Sequence, residues 1–336
     1  QNPKNPKNGI ARIYGARHGM EAKEGKYIHE LWMRSMENVC ATSAGGTERK
    51  QVILHNAYFF APPILIETLG KMINGTWDCG KVDVTILTNS LQTTDLNIMN
   101  LFARHQIQAL FEFYRRADIQ NSKKAAKLNY FEYKEPPGSD IKKTGHTERS
   151  LHSKVAIFDN DIYVGSANLD IRNYAMDANN GVFISNAADL AAAYTKYFND
   201  IIHDRNLTDD WKDYLMNPKT TEATAQEEVR QFMGYMAEHR QKFAQKMSSE
   251  RKEKMEDLAH KMTEDVYEVT KNIIIPVNGE PNDIDQVQVE LPNLMDGSFE
   301  SLSFADQDKY KNEIKKSREK KRMDLIQRLI DSLQLI

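Results

Sequence analysis

The chain has 336 residues, of which 40% are hydrophobic and 28% are charged, and its formal net charge at pH 7 is −3. This composition is typical of a soluble globular protein with two domains, or with one large domain and an extension. No apolar run reaches the roughly 20 residues that a membrane-spanning helix needs, which argues against a membrane span in this sequence.

Charge is spread unevenly along the chain. Residues 1–200 carry 24 Lys and Arg against 21 Asp and Glu (+3), whereas residues 201–336 carry 21 against 27 (−6). Neither part has the strongly basic balance that is expected of a general nucleic-acid binder. Together with a pI of about 6.4, this makes nucleic acid an unlikely partner.

Segments with strand and helix patterns alternate from residue 50 to residue 205. Apolar, β-rich runs predict the strands, and longer amphipathic or Pro-initiated runs predict the helices. Such alternation predicts an α/β fold, with a sheet that helices cover on both faces. The predicted strands are 52–60, 82–88, 129–133, 155–158, 162–164 and 182–185, and the predicted helices are 27–39, 62–72, 95–116 and 187–202.

The two ends of the chain differ in character from this middle part. Residues 1–46 predict a polar, flexible leading segment with a linker helix, and 47–215 form the predicted α/β domain. Residues 216–336 are charged and mainly helical in period, so they predict an accessory region, with a hairpin within 273–291 and a final helix over 305–336. That last helix contains the basic run Lys315–Arg322.

Two cysteines, Cys40 and Cys79, leave the redox compartment open. A disulfide is possible if the protein is exported, but two unpaired core thiols are the favoured interpretation.

One segment carries recognisable chemistry: LHSKVAIFDNDIYVGSANLDIR, residues 151–172. In a strand, His152 and Lys154 would project from the same face, where an ammonium next to an imidazole neutralises the anion that repels a nucleophile. After the following strand, Gly165 and Ser166 would supply backbone N–H donors and Asn168 an amide, all suited to phosphate oxygens. The cluster has no pattern of metal ligands, so no metal or other cofactor is expected.

The spacing H-x-K-x(4)-D followed by G-S-x-N resembles the HKD motif of the phospholipase D superfamily. The segments HNAYFFAP (55–62) and TNSLQTTD (88–95) resemble those that precede the second motif in bacterial two-motif members, including cardiolipin synthases. The resemblance implies an α-β-α sandwich and a metal-free transfer through a phosphohistidine. His152, Lys154 and Asn168 would then be catalytic, Gly165 and Ser166 would bind substrate, and Asp159, Asn179 and Arg172 would support them.

Two departures from the family pattern affect the expected activity. Only one motif is present, so the second half of the site would come from an N-terminal half of the same precursor, which is favoured, or from a second copy of the chain. Tyr58 and Phe60 would lie at that seam and be buried by the partner. In addition, Asn179 stands where many members have a glutamate that orients the histidine, and an amide stabilises an imidazolium less than a carboxylate does.

The resemblance favours an enzyme that hydrolyses phospholipids or transfers phosphatidyl groups. A nuclease of the same superfamily and a degenerate, non-catalytic half-domain are the alternatives. The sequence begins at Gln1 with no hydrophobic leader after it, so an address signal can have been removed. A bacterial origin with a peripheral membrane or cell-envelope location is the expectation that the resemblance implies.

Overall fold

A computed structural model describes residues 10–16, 27–91, 93–94, 97–134, 150–175 and 177–217, together with positions 249, 253, 257, 263, 266, 267 and 270. The predicted hairpin, final helix and basic run of the accessory region lie outside the described residues. No helix in the described ranges is long and apolar enough to cross a membrane.

Ten strands and seven helices can be assigned within those ranges. The strands are β1 (Ile10–Ala16), β2 (Lys50–Asn56), β3 (Phe59–Phe60), β4 (Val82–Asn89), β5 (Lys127–Tyr133), β6 (Lys154–Phe158), β7 (Asp161–Gly165), β8 (Leu169–Asp170), β9 (Asn179–Ser185) and β10 (Thr208–Asp210). The helices are α1 (Tyr27–Ala44), α2 (Pro63–Ile73), α3 (Asn97–Tyr114), α4 (Ala117–Gln120), α5 (Ile171–Ala175), α6 (Ala188–His203) and α7 (Lys212–Leu215).

Eight of these strands form one mixed sheet in the order β1-β9-β7-β6-β2-β4-β5-β10. Strands β2, β4 and β5 are parallel neighbours, and every other pairing in the sheet is antiparallel. The two short strands β3 and β8 pair separately, in parallel. The carboxyl ends of β2, β4 and β5 therefore lie at one edge of the sheet, and β6 begins at that same edge.

The alternating side chains of β2 explain why the sheet has two helical layers. Val52 and Leu54 belong to a core shared with α1, α2 and α3. Ile53, one position along, belongs to a second core with Phe198 and Ile201 of α6. Successive strand residues point to opposite faces, so an apolar run of this kind needs cover on both sides. The predicted α/β class with helices on both faces is confirmed.

The leading segment is part of the sheet, contrary to the sequence prediction. Residues 10–16 form β1, which pairs with β9 from Ile10 opposite Ser185 to Ala16 opposite Asn179. Helix α1 packs in the main core, where the ring centroids of Trp32 and Tyr163 are 5.0 Å apart. The division at residue 46 thus separates neither two cores nor a linker from a domain.

The interpretation of the cysteines as unpaired thiols was also wrong. Cys40 of α1 and Cys79, in the connection between α2 and β4, form a disulfide, and both residues are buried. Two cysteines far apart in sequence gave no signal of this pairing, because it depends on how α1 packs against α2 and β4.

Removing this disulfide should lower stability substantially. The bridge joins residues 39 positions apart, and closing a loop of that length reduces the entropy of the unfolded chain by an amount worth about 4 kcal/mol. We expect a reductant to lower the melting temperature by roughly 10 °C. A Cys40→Ala/Cys79→Ala variant should melt at the same temperature with and without the reductant. Equal melting of the parent protein in both conditions would contradict the prediction.

Candidate active site

His152 lies in the extended segment that leads into β6, at the edge where β2, β4 and β5 end. Its side chain is exposed, whereas Leu151 before it is buried. The strand begins only at Lys154, so the prediction that His152 and Lys154 occupy one strand was wrong. The segment is nevertheless joined to β2, because Ala57 N–H donates to the Ser153 carbonyl at 2.9 Å.

Lys154 is the first residue of β6 and pairs with Asn56, the last residue of β2. Its ammonium donates to the main-chain carbonyl of His152 across 3.3 Å. The side chain is half-buried. A cation is thus placed next to the backbone of His152, which is the charge environment that an incoming phosphodiester requires.

Asn168 is held close to this pair by the loop after β7. Asn56 donates to the carbonyl of Ala167 and accepts from the N–H of Leu169, each across 3.2 Å, so it bonds the chain on both sides of Asn168. The Oδ1 atom of Asn168 is buried and has no hydrogen-bond partner in the described part of the chain. An unsatisfied buried amide oxygen is unusual, and a bound ligand can satisfy it.

Gly165 and Ser166 are engaged in packing and in the sheet. A Cβ at Gly165 would lie 2.2 Å from the Tyr163 hydroxyl, so glycine is required there for the close approach of that ring. The N–H of Ser166 donates to the Asn180 carbonyl at 2.8 Å. The expectation that this N–H is free for a phosphate oxygen was therefore wrong.

Asn179 is buried and holds two neighbours other than the histidine. Its Oδ1 accepts from the Ser166 hydroxyl at 3.1 Å and from Asn173 at 3.2 Å, and its own amide donates back to Asn173 at 3.0 Å. None of its hydrogen bonds with described residues goes to His152. The amide organises the Ser166 loop instead of the imidazole.

The two remaining supporting residues do not contact the site in the described structure. Asp159 lies in the turn at the far end of β6, roughly 17 Å of strand away from Lys154. It has φ 57° and an ion pair with Lys50 at 3.0 Å. Arg172 belongs to α5, and its side chain lies outside the described residues.

His55 was not singled out in the sequence, yet it lies directly behind the site. It is fully buried, and its Nδ1 is 2.7 Å from the hydroxyl of Tyr194 on α6. Burial lowers the pKa of His55 to about 4, so the ring is neutral at pH 7. Burial also raises the pKa of Tyr194, and a hydrogen bond with Ser153 partly opposes that shift. In the sequence, His55 is one polar residue in an apolar strand, which gives no functional signal.

The predicted seam residues differ from each other. Phe60 is buried within the chain itself, with its ring centroid 5.4 Å from that of Phe102, so the prediction that a partner buries it was wrong. Tyr58 is half-buried. Among the residues that the structure describes, no cluster of three or more His, Cys, Asp or Glu is arranged to hold a metal ion.

Comparison with known proteins gives a family match over the sheet and its helices. Residues 46–202 match the family model described as the PLD-like domain of cardiolipin synthase. The matched range contains His152, Lys154 and Asn168. No curated protein matches the chain.

Solved structures with similarity to this chain were also found. Phosphatidylserine synthase from Haemophilus influenzae Rd KW20 shares 16% identity with a TM-score of 0.43, over 68% of this chain and 46% of its own. The match thus spans about half the length of that synthase. Nuc from Salmonella typhimurium, a phospholipase D family member, shares 17% identity with a TM-score of 0.36, over 61% of this chain and 99% of its own. NucT from Helicobacter pylori shares 10% identity with a TM-score of 0.37, over 60% and 98%.

Proposed function

Residues 46–202 form a domain of the phospholipase D superfamily, and from that premise we propose that the protein is a phosphodiesterase or phosphatidyltransferase that acts on phospholipids through a phosphohistidine. One observation carries the proposal. An exposed histidine, an ammonium next to its main chain and an amide with an unsatisfied oxygen meet where three parallel strands end. That edge is where open α/β sheets bind their ligands.

The proposed reaction has two displacements at phosphorus. In the first, a ring nitrogen of His152 forms a bond to phosphorus while the bond to the leaving alcohol breaks, and a second histidine protonates that alcohol. In the second, water or an acceptor alcohol gives its proton to the second histidine and attacks phosphorus, and the phosphorus–nitrogen bond breaks. Covalent catalysis of this kind splits one difficult displacement into two easier ones.

Lys154 and Asn168 would stabilise charge during both displacements. The phosphodiester is an anion, and negative charge on its non-bridging oxygens must be balanced as the nucleophile approaches. A fixed ammonium and an amide donor supply that balance without a metal ion, and they act most strongly where water is excluded. Lys154 is half-buried, which favours this role.

A second half-site is part of the proposal. Nucleophile and general acid lie on opposite sides of phosphorus in an in-line displacement, so one imidazole cannot serve both. We propose that a second domain with its own histidine packs against the edge that carries His152. That domain is either another half of the same protein or a second copy of this chain.

The disulfide supports a location outside the reducing cytosol. Buried disulfides such as Cys40–Cys79 persist mainly in oxidising compartments. A cell-envelope protein in peripheral contact with a membrane would meet phospholipid there, which agrees with the proposed substrate class.

A substrate panel tests the proposed class. We expect head-group release or transfer from vesicles that contain phosphatidylglycerol, phosphatidylethanolamine or cardiolipin, and no cleavage of single-stranded DNA, because the charge balance offers no basic surface for a nucleic acid. The His152→Ala variant is the control for contaminating activity. Cleavage of DNA alone would make the protein a nuclease, and inactivity toward every substrate would make it a non-catalytic half-domain.

A further inference from the structure

Two buried asparagines clasp the main chain next to the proposed catalytic residues. We propose that Asn89 and Asn56 are positioning residues, Asn89 for His152 and Asn56 for Asn168. The inference rests on the proposed function for the meaning of the site, although the contacts themselves do not depend on it.

Asn89 is the last residue of β4 and is 2% exposed. Its amide donates to the carbonyl of Leu151 and its Oδ1 accepts from the N–H of Leu151, both at 2.8 Å. The second amide hydrogen goes to the carbonyl of Ala57 at 2.9 Å. The residue immediately before His152 is thus gripped at both its donor and its acceptor, and is joined to the end of β2.

Asn56 makes the corresponding clasp on the other part of the motif. It is the last residue of β2, 2% exposed, and its amide holds the Ala167 carbonyl and the Leu169 N–H. Its Oδ1 also accepts from the N–H of Tyr58 at 3.3 Å. Because Asn56 pairs with Lys154 across the sheet, one residue fixes Asn168 relative to the strand that carries the cation.

The chemistry of the amide explains why asparagine occupies both positions. A carboxamide offers a donor and an acceptor in one plane, which is what is needed to bond a peptide N–H and a peptide C=O together. Aspartate has the same shape but no donor, so at position 89 it would place an oxygen against the carbonyls of Ala57 and Leu151. Alanine would leave these peptide groups without their partners.

The chain contains a matched control for a purely structural role. Gln106 is also a buried amide, and it donates to the Ala61 carbonyl and accepts from the Ala61 N–H, both at 2.8 Å. The geometry is the same as at Asn89, but Ala61 adjoins none of the proposed catalytic residues. Loss of this clasp therefore reports the cost of breaking such a contact without moving the site.

The experiment compares Asn89→Ala, Asn56→Ala and Gln106→Ala, with Asn89→Asp and Asn56→Asp as variants that preserve side-chain volume if alanine prevents folding. Turnover is measured on phosphatidylglycerol vesicles, stability by thermal melting, and local opening by hydrogen exchange of peptides spanning 150–158 and 165–171. We expect kcat to fall about 10- to 100-fold in the asparagine variants with KM within about threefold of the parent value. Gln106→Ala should lose similar stability but keep kcat within about threefold.

Hydrogen exchange separates this inference from the proposed function. Asn89→Ala should accelerate exchange in 150–158, Asn56→Ala in 165–171, and Gln106→Ala in neither. If the parent protein turns over no phosphodiester, the proposed function fails and the exchange pattern alone decides the clasps. Unchanged exchange in both peptides, or asparagine variants that match Gln106→Ala in kcat, would overturn the inference.

Discussion

Replacing His152 with alanine is expected to reduce phosphodiester turnover by at least about 10³-fold, because it removes the nucleophile on which both displacements depend. The folded state should remain intact. The side chain is exposed, and exposed substitutions away from caps, turns and buried networks usually change stability by less than about 0.5 kcal/mol. Initial rates on phospholipid vesicles and thermal melting, measured on the same preparation, test both parts.

Lys154→Ala should cost nearly as much turnover, since the phosphodiester would then meet the imidazole without a balancing cation. His203→Ala is the matched control. That histidine is also exposed, and it bonds the Asn199 carbonyl at 2.8 Å near the end of α6. A well-folded His152→Ala protein that retains its rate would refute the mechanism, and an equal loss in His203→Ala would point to a general effect on the fold.

The second large effect concerns the need for two histidines in one site. If two copies of this chain complete the site, specific activity should fall as the protein is diluted below its dimerisation range. Light scattering on a size-exclusion column identifies the active species. If a different domain supplies the second histidine, this chain alone should be inactive at every concentration.

Mixing experiments distinguish a shared site from an independent one. When parent and His152→Ala chains are co-expressed in equal amounts, only about a quarter of random dimers contain two histidines, so a shared site retains about a quarter of the activity. Chains that work independently would retain half. A strictly monomeric species with full turnover would show that one imidazole suffices and that the proposed pairing is wrong.

The sequence predicted most of the sheet because its central strands are buried on both faces. Val82–Thr88 and Asn129–Tyr133 fall within β4 and β5 as predicted, since such strands are apolar and bounded by polar turns. Strand β1 was missed because seven residues containing Arg12 and Gly15 carry too weak a pattern to stand out in a polar segment. Its strand character comes from its partner β9, which lies far along the chain.

The site could be located from sequence because its parts are local. His152 and Asn168 flank a single hairpin, β6–β7, whose short turn brings the two ends together. The roles of Asn56 and Asn89 could not be read in the same way. Each is a polar residue at the end of a strand, and its function depends on which main-chain groups another segment presents to it. The same reasoning applies to Asn179, whose partners Ser166 and Asn173 became apparent only in the folded chain.

The pairing of β1 with β9 has a consequence for how the chain is synthesised. Ile10 lies opposite Ser185, so the first strand to leave the ribosome must wait for 175 further residues (185 minus 10) before its partner exists. Until then both strands present unpaired backbone groups, and contacts of such long sequence separation form slowly. Shortening the chain from its N-terminal side would leave the outer edge of β9 open to edge-to-edge association with other molecules. Expression formats that retain residues 10–16 should therefore aggregate less during synthesis than those that omit them.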